Sequence, residues 1–498
     1  MIERGMTETP DIDALIEKLP EPTRPVVEVI VGLLRAQHAQ LVAENAELRR
    51  LLFGRKAERM PDARRAARAL AQAEKDPAER KAECVERRAK NRAKREDLPL
   101  IERVLDVPED ERICPCCGSQ DLSPLGDGVV STQIEFVPAH LVRIAWRRKR
   151  YACRCGKGVV TAPPPPQVHD GCEYGPGVHA HVAVAKCADA LPFYRVARQL
   201  QRAGSPVSRA TLCTLFHRAA DQVDGIYRAL LDEVAGATHV FADETPLPVL
   251  AQGGCDRGYV WTFVSDKVVA FTFSASRSGQ TPVRVLGGTE GSLQADAYSG
   301  YNAVTTPDGR VRAGCWAHVR RAFFRALDTA PEDAGRAMDQ IALLYDVEHR
   351  AAERGIVGTT AHRAVRRAES APRVDAFFAW LAERAPEHPP RSPMGKAIRY
   401  AQKQEAALRV FVADVRVALD NNAAERALKP VALGRKNFLF AGHDDGAENL
   451  ARLQTVVATC QRHGVDPQAY LEDVLVRVNT HPSKDIAALL PWAWRPPP

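Results

Sequence analysis

Apolar residues recur on a heptad from Val31 to Leu52. Leu34, Leu41 and Leu48 take one core position, and Val31, His38, Asn45 and Leu52 take the other. Polar residues at core positions fix register and oligomer number at a cost in stability, so the pattern predicts a short coiled coil. An amphipathic helix packed on its own domain has the same pattern. The periodicity then stops until the β-type runs IERVLDV, STQIEFV and LVRIAW, which close at the proline run Pro163–Pro166. From about Gly177 to Val234 the spacing is helical. Within it, LPFYRVARQLQRAGSPVSRATLCTLFHRAA reads as helix, glycine-containing turn, helix, with Ser208 suited to cap the second helix. A helix-turn-helix has this form, and so do helical hairpins that never meet DNA.

From Thr238 the pattern changes to short β-rich runs: THVFAD, GYVWTFVS, VVAFTFSA, GSLQAD and RVRAGC. The helical segments TPVRVLGG and CWAHVRRAFFRAL fall among them. Successive strands followed by alternating strands and helices predict a mixed α/β layer fold. From Pro331 to Val417 no strand signal survives, which predicts a helical insertion. These changes divide the chain into a heptad-bearing segment (1–54), a basic arm (55–100), a cysteine-bearing β segment (101–166) and a helical region (167–236). A strand-rich segment (237–330), the insertion (331–418), a last core segment (419–480) and a tail (481–498) follow.

Composition places the 498 residues among ordinary globular chains of several domains, with 45% hydrophobic and 26% charged residues. The net charge of +7 is modest, but its distribution is uneven. Between Arg49 and Glu96 there are 17 Lys/Arg and 8 Asp/Glu, an excess of 9, which leaves the rest of the chain near neutral. Such a segment attracts a polyanion by counterion release, or it is a solvated linker. The amino-terminal stretch carries acids and no long apolar run, so no secretory signal or membrane span is expected. Twelve cysteines are too sparse for a disulfide scaffold and point to a reducing cytoplasm. No GxxxxGK[ST] phosphate loop is present, which argues against a helicase or kinase.

Five cysteines cluster in ICPCCG and YACRCG. Cys114 and Cys117 form one pair and Cys153 and Cys155 a second. Four thiolates suit a closed tetrahedral Zn2+ site that would hold together a segment with little core. The second pair is C-x-C, and Cys116 is an alternative ligand; unligated buried cysteines are the other reading. Three acids stand out as well. Asp243 closes HVFAD, Asp296 closes SLQAD, and Glu425 sits in LDNNAAERAL. Carboxylates on different elements can converge on metal ions that activate the attacking and leaving oxygens of a phosphodiester. Glu244, Asp256, Asp266 and Asp420 compete for the same role. Cys315 and His318 have ligand spacing but no second pair, and packing beside the site explains them. Asn421 and Asn422 are placed to cap the helix of Glu425.

FADETPLPVL, LQADAYSGYNAV, GCWAHVRRAFF and LDNNAAERALKPVALGRKNFLFAGHDDGAENLA resemble, block by block, signature segments of the IS66 family of bacterial insertion-sequence transposases. The resemblance continues through CPCCG, YACRCG, the proline run, ADALPFYRVARQL and DPQAYLEDVLVRV, over roughly residues 30–480. It implies a DDE transposase, a multidomain α/β protein with an RNase H-like core carrying a helical insertion. A leucine zipper, a zinc-binding module and a helix-turn-helix region would precede that core. The acidic triad falls on Asp243, Asp296 and Glu425, with Mg2+ or Mn2+ as cofactor. The insertion accounts for the long separation of the last two acids, 129 in sequence number (425 − 296). The C-x-C pair departs from the usual zinc knuckle.

The expected activity is metal-dependent cleavage at terminal inverted repeats, followed by attack of the freed 3′-hydroxyl on target DNA. Arg320, Arg321, Arg435, Lys436 and Arg209 are the expected DNA contacts. Expected partners are double-stranded DNA, a second copy or higher oligomer, and accessory proteins of the same element. A nucleoid-associated cytoplasmic location follows, with no membrane. The rival reading is a transposase-derived repressor that binds DNA without cutting it.

Overall fold

The computed structural model describes residues 16, 19–53, 82, 85, 86, 141–152, 159–165 and 167–496. The heptad stretch lies on α1 (Arg24–Phe53), where Val29, Leu33, Leu34 and Leu41 are exposed in the single chain. Nearly all of the basic arm, and Cys114, Cys116, Cys117, Cys153 and Cys155, lie outside the described residues. The short strands β1 (Arg150–Ala152) and β2 (Val159–Thr161) pair antiparallel on either side of the YACRCG cysteines.

Four helices follow: α2 (Pro176–Cys187), α3 (Phe193–Arg202), α4 (Arg209–Gln222) and α5 (Asp224–Ala235). Gly204 turns the chain between α3 and α4 at φ 100°, a conformation glycine adopts without a Cβ clash. Ser208 caps α4 as its position predicts, its Oγ accepting from the Thr211 N–H at 3.0 Å.

The five strands are β3 (His239–Ala251), β4 (Gly254–Val264), β5 (Val269–Ser274), β6 (Ser292–Gln294) and β7 (Val311–Ala313). Helix α6 (Gln280–Leu286) connects β5 to β6. The sheet order is β5-β4-β3-β6-β7. The first three strands are antiparallel, while β6 and β7 join parallel to β3. The strand β3 runs on past Asp243, where its apolar run stops, through Pro246 and Pro248 to Ala251. Proline cannot donate to a ladder, so it survives only where its nitrogen faces away from a partner. Pro248 does so: its carbonyl, on the side away from β4, accepts from the Ala441 N–H at 2.9 Å. Pro246, two residues earlier, faces the same side, beyond the end of β6.

Helix α7 (Trp316–Phe324) leads into the predicted helical insertion. It consists of α8 (Pro331–Glu353), α9 (Thr360–Val365), α10 (Ala371–Arg384), α11 (Pro393–Lys403) and α12 (Glu405–Ala413). All of these except α9 share a separate core with α7, built on Trp316, Phe323, Ile341, Phe377, Ile398 and Phe411. The chain then returns through α13 (Asn422–Ala427), α14 (Lys429–Phe438), α15 (Asp444–Arg462) and α16 (Pro467–Arg477). Helix α15 covers the edge strand β5. Its Thr455 and Thr459 hydroxyls accept from the Phe271 and Val269 N–H groups at 2.8 and 3.3 Å. Those edge amides therefore have partners that no further strand supplies.

Candidate active site

Three carboxylates approach one place from three elements. The parallel ladder between β3 and β6 pairs Phe241 with Gln294. Asp243 and Asp296 each lie two residues further on, so the same register carries them out side by side. Glu425 arrives from α13, whose entry is tied to β3. The Asn421 side-chain amide donates to the Ala242 carbonyl at 2.8 Å, and its backbone N–H donates to the Cys315 sulfur at 3.2 Å. Asn421 stands at the expected N-cap position of α13, but not as a side-chain cap. Its side chain makes no cap bond; Asn422 instead bonds Asp420, through its N–H at 3.0 Å and its Nδ2 at 2.7 Å.

Asp243 senses its acidic surroundings. The Asp243 carboxyl is pushed up to about 7, first by burial and then by repulsion from Glu244. The Glu244 N–H, donating to Asp243 Oδ1 at 2.9 Å, offsets part of this, while Asp296 and Glu425 push further upward. Asp296 Oδ1 accepts from the Tyr298 N–H at 2.9 Å, and Arg312 donates to the Asp296 and Tyr298 carbonyls.

Glu425 is held from α7. Arg321 Nη2 lies 3.3 Å from its Oε2, and His318 Nε2 lies 3.7 Å from its Oε1. That Oε1 is buried without a hydrogen-bond partner. Burial lowers the pKa of His318, and the nearby Glu425 opposes the shift. Cys315 and His318 thus pack beside the site as expected. The grip of His318 and Arg321 on Glu425 is new; their i, i+3 spacing in CWAHVRR was the available signal.

Adjacent strand residues point to opposite faces, which separates Asp243 from its neighbour Glu244. Glu244 accepts from the Tyr301 hydroxyl at 2.6 Å and from Arg277 Nε at 2.8 Å. Among the other competitors, Asp420 accepts from the Tyr345 hydroxyl at 3.0 Å, while Asp256 and Asp266 are exposed. The donor set of Asp243, Asp296 and Glu425 is therefore all oxygen, anionic and partly unsatisfied. A hard divalent cation such as Mg2+ fits it, because a positive ion would relieve both the repulsion and the orphaned Glu425 oxygen.

The expected DNA contacts are dispersed. Arg320 and Arg321 lie on α7, Arg435 and Lys436 on α14, and Arg209 is exposed at the start of α4. Arg435 donates to Thr245 Oγ1 at 3.2 Å and to the Pro246 carbonyl, so its guanidinium braces β3, while Lys436 is exposed.

Comparison with known proteins matches residues 171–449 to the family described as Transposase IS66 family. The chain belongs to the IS66 transposase family. An IS66 C-terminal element matches residues 455–492, and the zinc-finger binding domain of transposase IS66 matches residues 111–156, which include Cys114, Cys117, Cys153 and Cys155. Two similar proteins of Sinorhizobium fredii, y4hP and y4qI, both described as uncharacterized, are each 32% identical to this IS66 chain. Their alignments span 79% and 80% of it and 76% of each relative. Among the described residues no helix is long and apolar enough to cross a membrane.

Proposed function

We propose that this IS66 transposase is a DDE enzyme that cuts DNA at the ends of its element and joins the freed 3′-hydroxyl to a target. The observation that carries the reading is the meeting of Asp243, Asp296 and Glu425, with an aspartic acid whose pKa is lifted to about 7 by burial and by its acidic neighbours. Burial of the Asp243 carboxyl, with repulsion from the acids around it, destabilises its ionised form in a metal-free site and favours a bound cation. The sheet supports an RNase H-like core, since three antiparallel strands are extended by two parallel ones and the acids stand on the first strand, after the fourth, and on a following helix. Asp243 and Asp296 would be the principal ligands of Mg2+ or Mn2+, and Glu425 would complete the set. When bound, the metal supplies Lewis-acid activation of the attacking and leaving oxygens.

The chain's own residues do the remaining work. Asn421 fixes α13 against β3, and Arg321 and His318 aim the Glu425 carboxylate. Asp243 gives up its proton when the site is loaded. No covalent protein intermediate is needed. Helices α3 and α4 would enter DNA as a helix-turn-helix, with exposed Arg209 at the leading end of α4. The exposed apolar residues of α1 would pair with a second copy, bringing two element ends together. The zinc-finger segment would hold structural Zn2+ through Cys114, Cys117, Cys153 and Cys155. Asp243→Ala should abolish magnesium-dependent nicking of end DNA while leaving gel-shift binding of the same DNA intact. Retained nicking contradicts the assignment.

A further inference from the structure

Outside both of these sites, a second cluster of metal-ligating side chains stands where the chain leaves the proline run and enters the helical layer. The segment is fixed in place. Gln222 Nε2 donates to the Val168 carbonyl at 2.9 Å, and Asn479 Nδ2 reaches the Gln167 and Val168 carbonyls at 3.1 and 3.2 Å. His169 and Cys172 lie on it, half-buried, and His179 follows in the first turn of α2, fully buried. One ligand atom from each of the three lies within 4.8 Å of the others.

The chemistry at His179 is specific. Its Nδ1 lies 3.1 Å from the Gly175 carbonyl, so Nδ1 carries the proton and Nε2 presents a lone pair. A carbonyl that orients the far ring nitrogen is the usual support of a metal-bound imidazole. Nε2 faces the Cys172 sulfur at 3.8 Å. Bond lengths of about 2.3 Å to sulfur and about 2.0 Å to nitrogen, at a tetrahedral angle, place the two donors roughly 3.5 Å apart. The observed separation is close to that edge.

We propose that His169, Cys172 and His179 bind a zinc ion, with solvent in the fourth position. Two nitrogens and a thiolate are the donor set of zinc rather than of magnesium. Two contacts must give way. The Cys172 thiol now donates to the Tyr174 carbonyl at 3.1 Å and would lose that proton. The exposed Arg218 guanidinium, which lies against the His169 ring with Nη1 3.1 Å from Nδ1, would turn into solvent. The ion would close residues 169–179 into a knuckle and fasten the entering segment to α2. It is separate from the zinc-finger segment, which ends at residue 156.

The test is total zinc per chain, measured by mass spectrometry on the full-length protein after zinc loading and gel filtration. Wild type is compared with Cys172→Ser and His169→Asn, neither of which alters a fully buried residue. Zinc held by the zinc-finger segment is common to all three proteins and cancels. The wild type should hold one more equivalent than either variant. Cobalt loading should add a thiolate charge-transfer band that Cys172→Ser loses. Equal zinc contents with a flat cobalt difference spectrum overturn the site, and so does loss in Cys172→Ser with none in His169→Asn.

Discussion

Asp243 holds its proton to about pH 7, where an unfolded aspartic acid has released it near 3.9. Between those values the native state binds the proton and the unfolded chain does not. The metal-free protein therefore loses stability as pH rises through this window. Asp243→Asn, which cannot ionise, should escape the loss. Thermal melts in magnesium-free buffer should match wild type at pH 4 and show the variant more stable at pH 8, by up to about 4 kcal/mol for a shift of roughly three pKa units. A constant difference between the two pH values contradicts the shift. Loading the site must expel the same proton, so apparent magnesium affinity should weaken as pH falls below about 7. At this scale the sequence was informative about identity and poor about environment. HVFAD singled out Asp243, but nothing in it showed that Glu244 turns to the other face, toward Tyr301 and Arg277. The roles of His318 and Arg321 likewise depend on α7 lying beside α13, a long-range fact that local spacing hints at without fixing.

Among the elements, α13 matters most, because it is only six residues long and carries Glu425. A helix that short has little stability of its own, so tertiary anchors must hold it. Asn421 is one: its amide satisfies the buried Ala242 carbonyl, next to Asp243. Asn421→Ala leaves that acceptor unpaired, and chemical denaturation should show a loss of about 1–3 kcal/mol. Nicking should fall by about 10²-fold if Glu425 drifts by roughly an ångström, with DNA binding unchanged. Wild-type nicking rates in that variant would contradict the anchoring role. The strands and the helical insertion could be read in the sequence because hydrophobic period and β-branched content are local. The length of β3 could not, since Pro246 and Pro248 look like breakers until the unpaired side of the strand is known.

At the scale of the whole molecule, the net charge of +7 hides a division. The stretch from Arg49 to Glu96, which begins in the last turns of the heptad helix and precedes the zinc-finger segment in sequence, carries an excess of 9 positive charges, and the near-neutral remainder gathers three carboxylates in one place. The separation of 129 from Asp296 to Glu425 is taken up largely by helices with their own core, so a long excursion still returns the third acid to the sheet. Gln294 closes that return, its amide donating to the Gly314 and Ala418 carbonyls at 3.0 and 2.7 Å. The central claim is that these three acids, and no others, form one metal-dependent cutting site. It is tested most directly by magnesium-dependent nicking of end DNA in Asp243→Asn, Asp296→Asn and Glu425→Gln, beside the exposed controls Asp256→Asn and Asp266→Asn. Each of the three should lose at least about 10³-fold, on the order of 4 kcal/mol of transition-state stabilisation, while both controls keep wild-type rates. Near-wild-type nicking in any one of the three would contradict it.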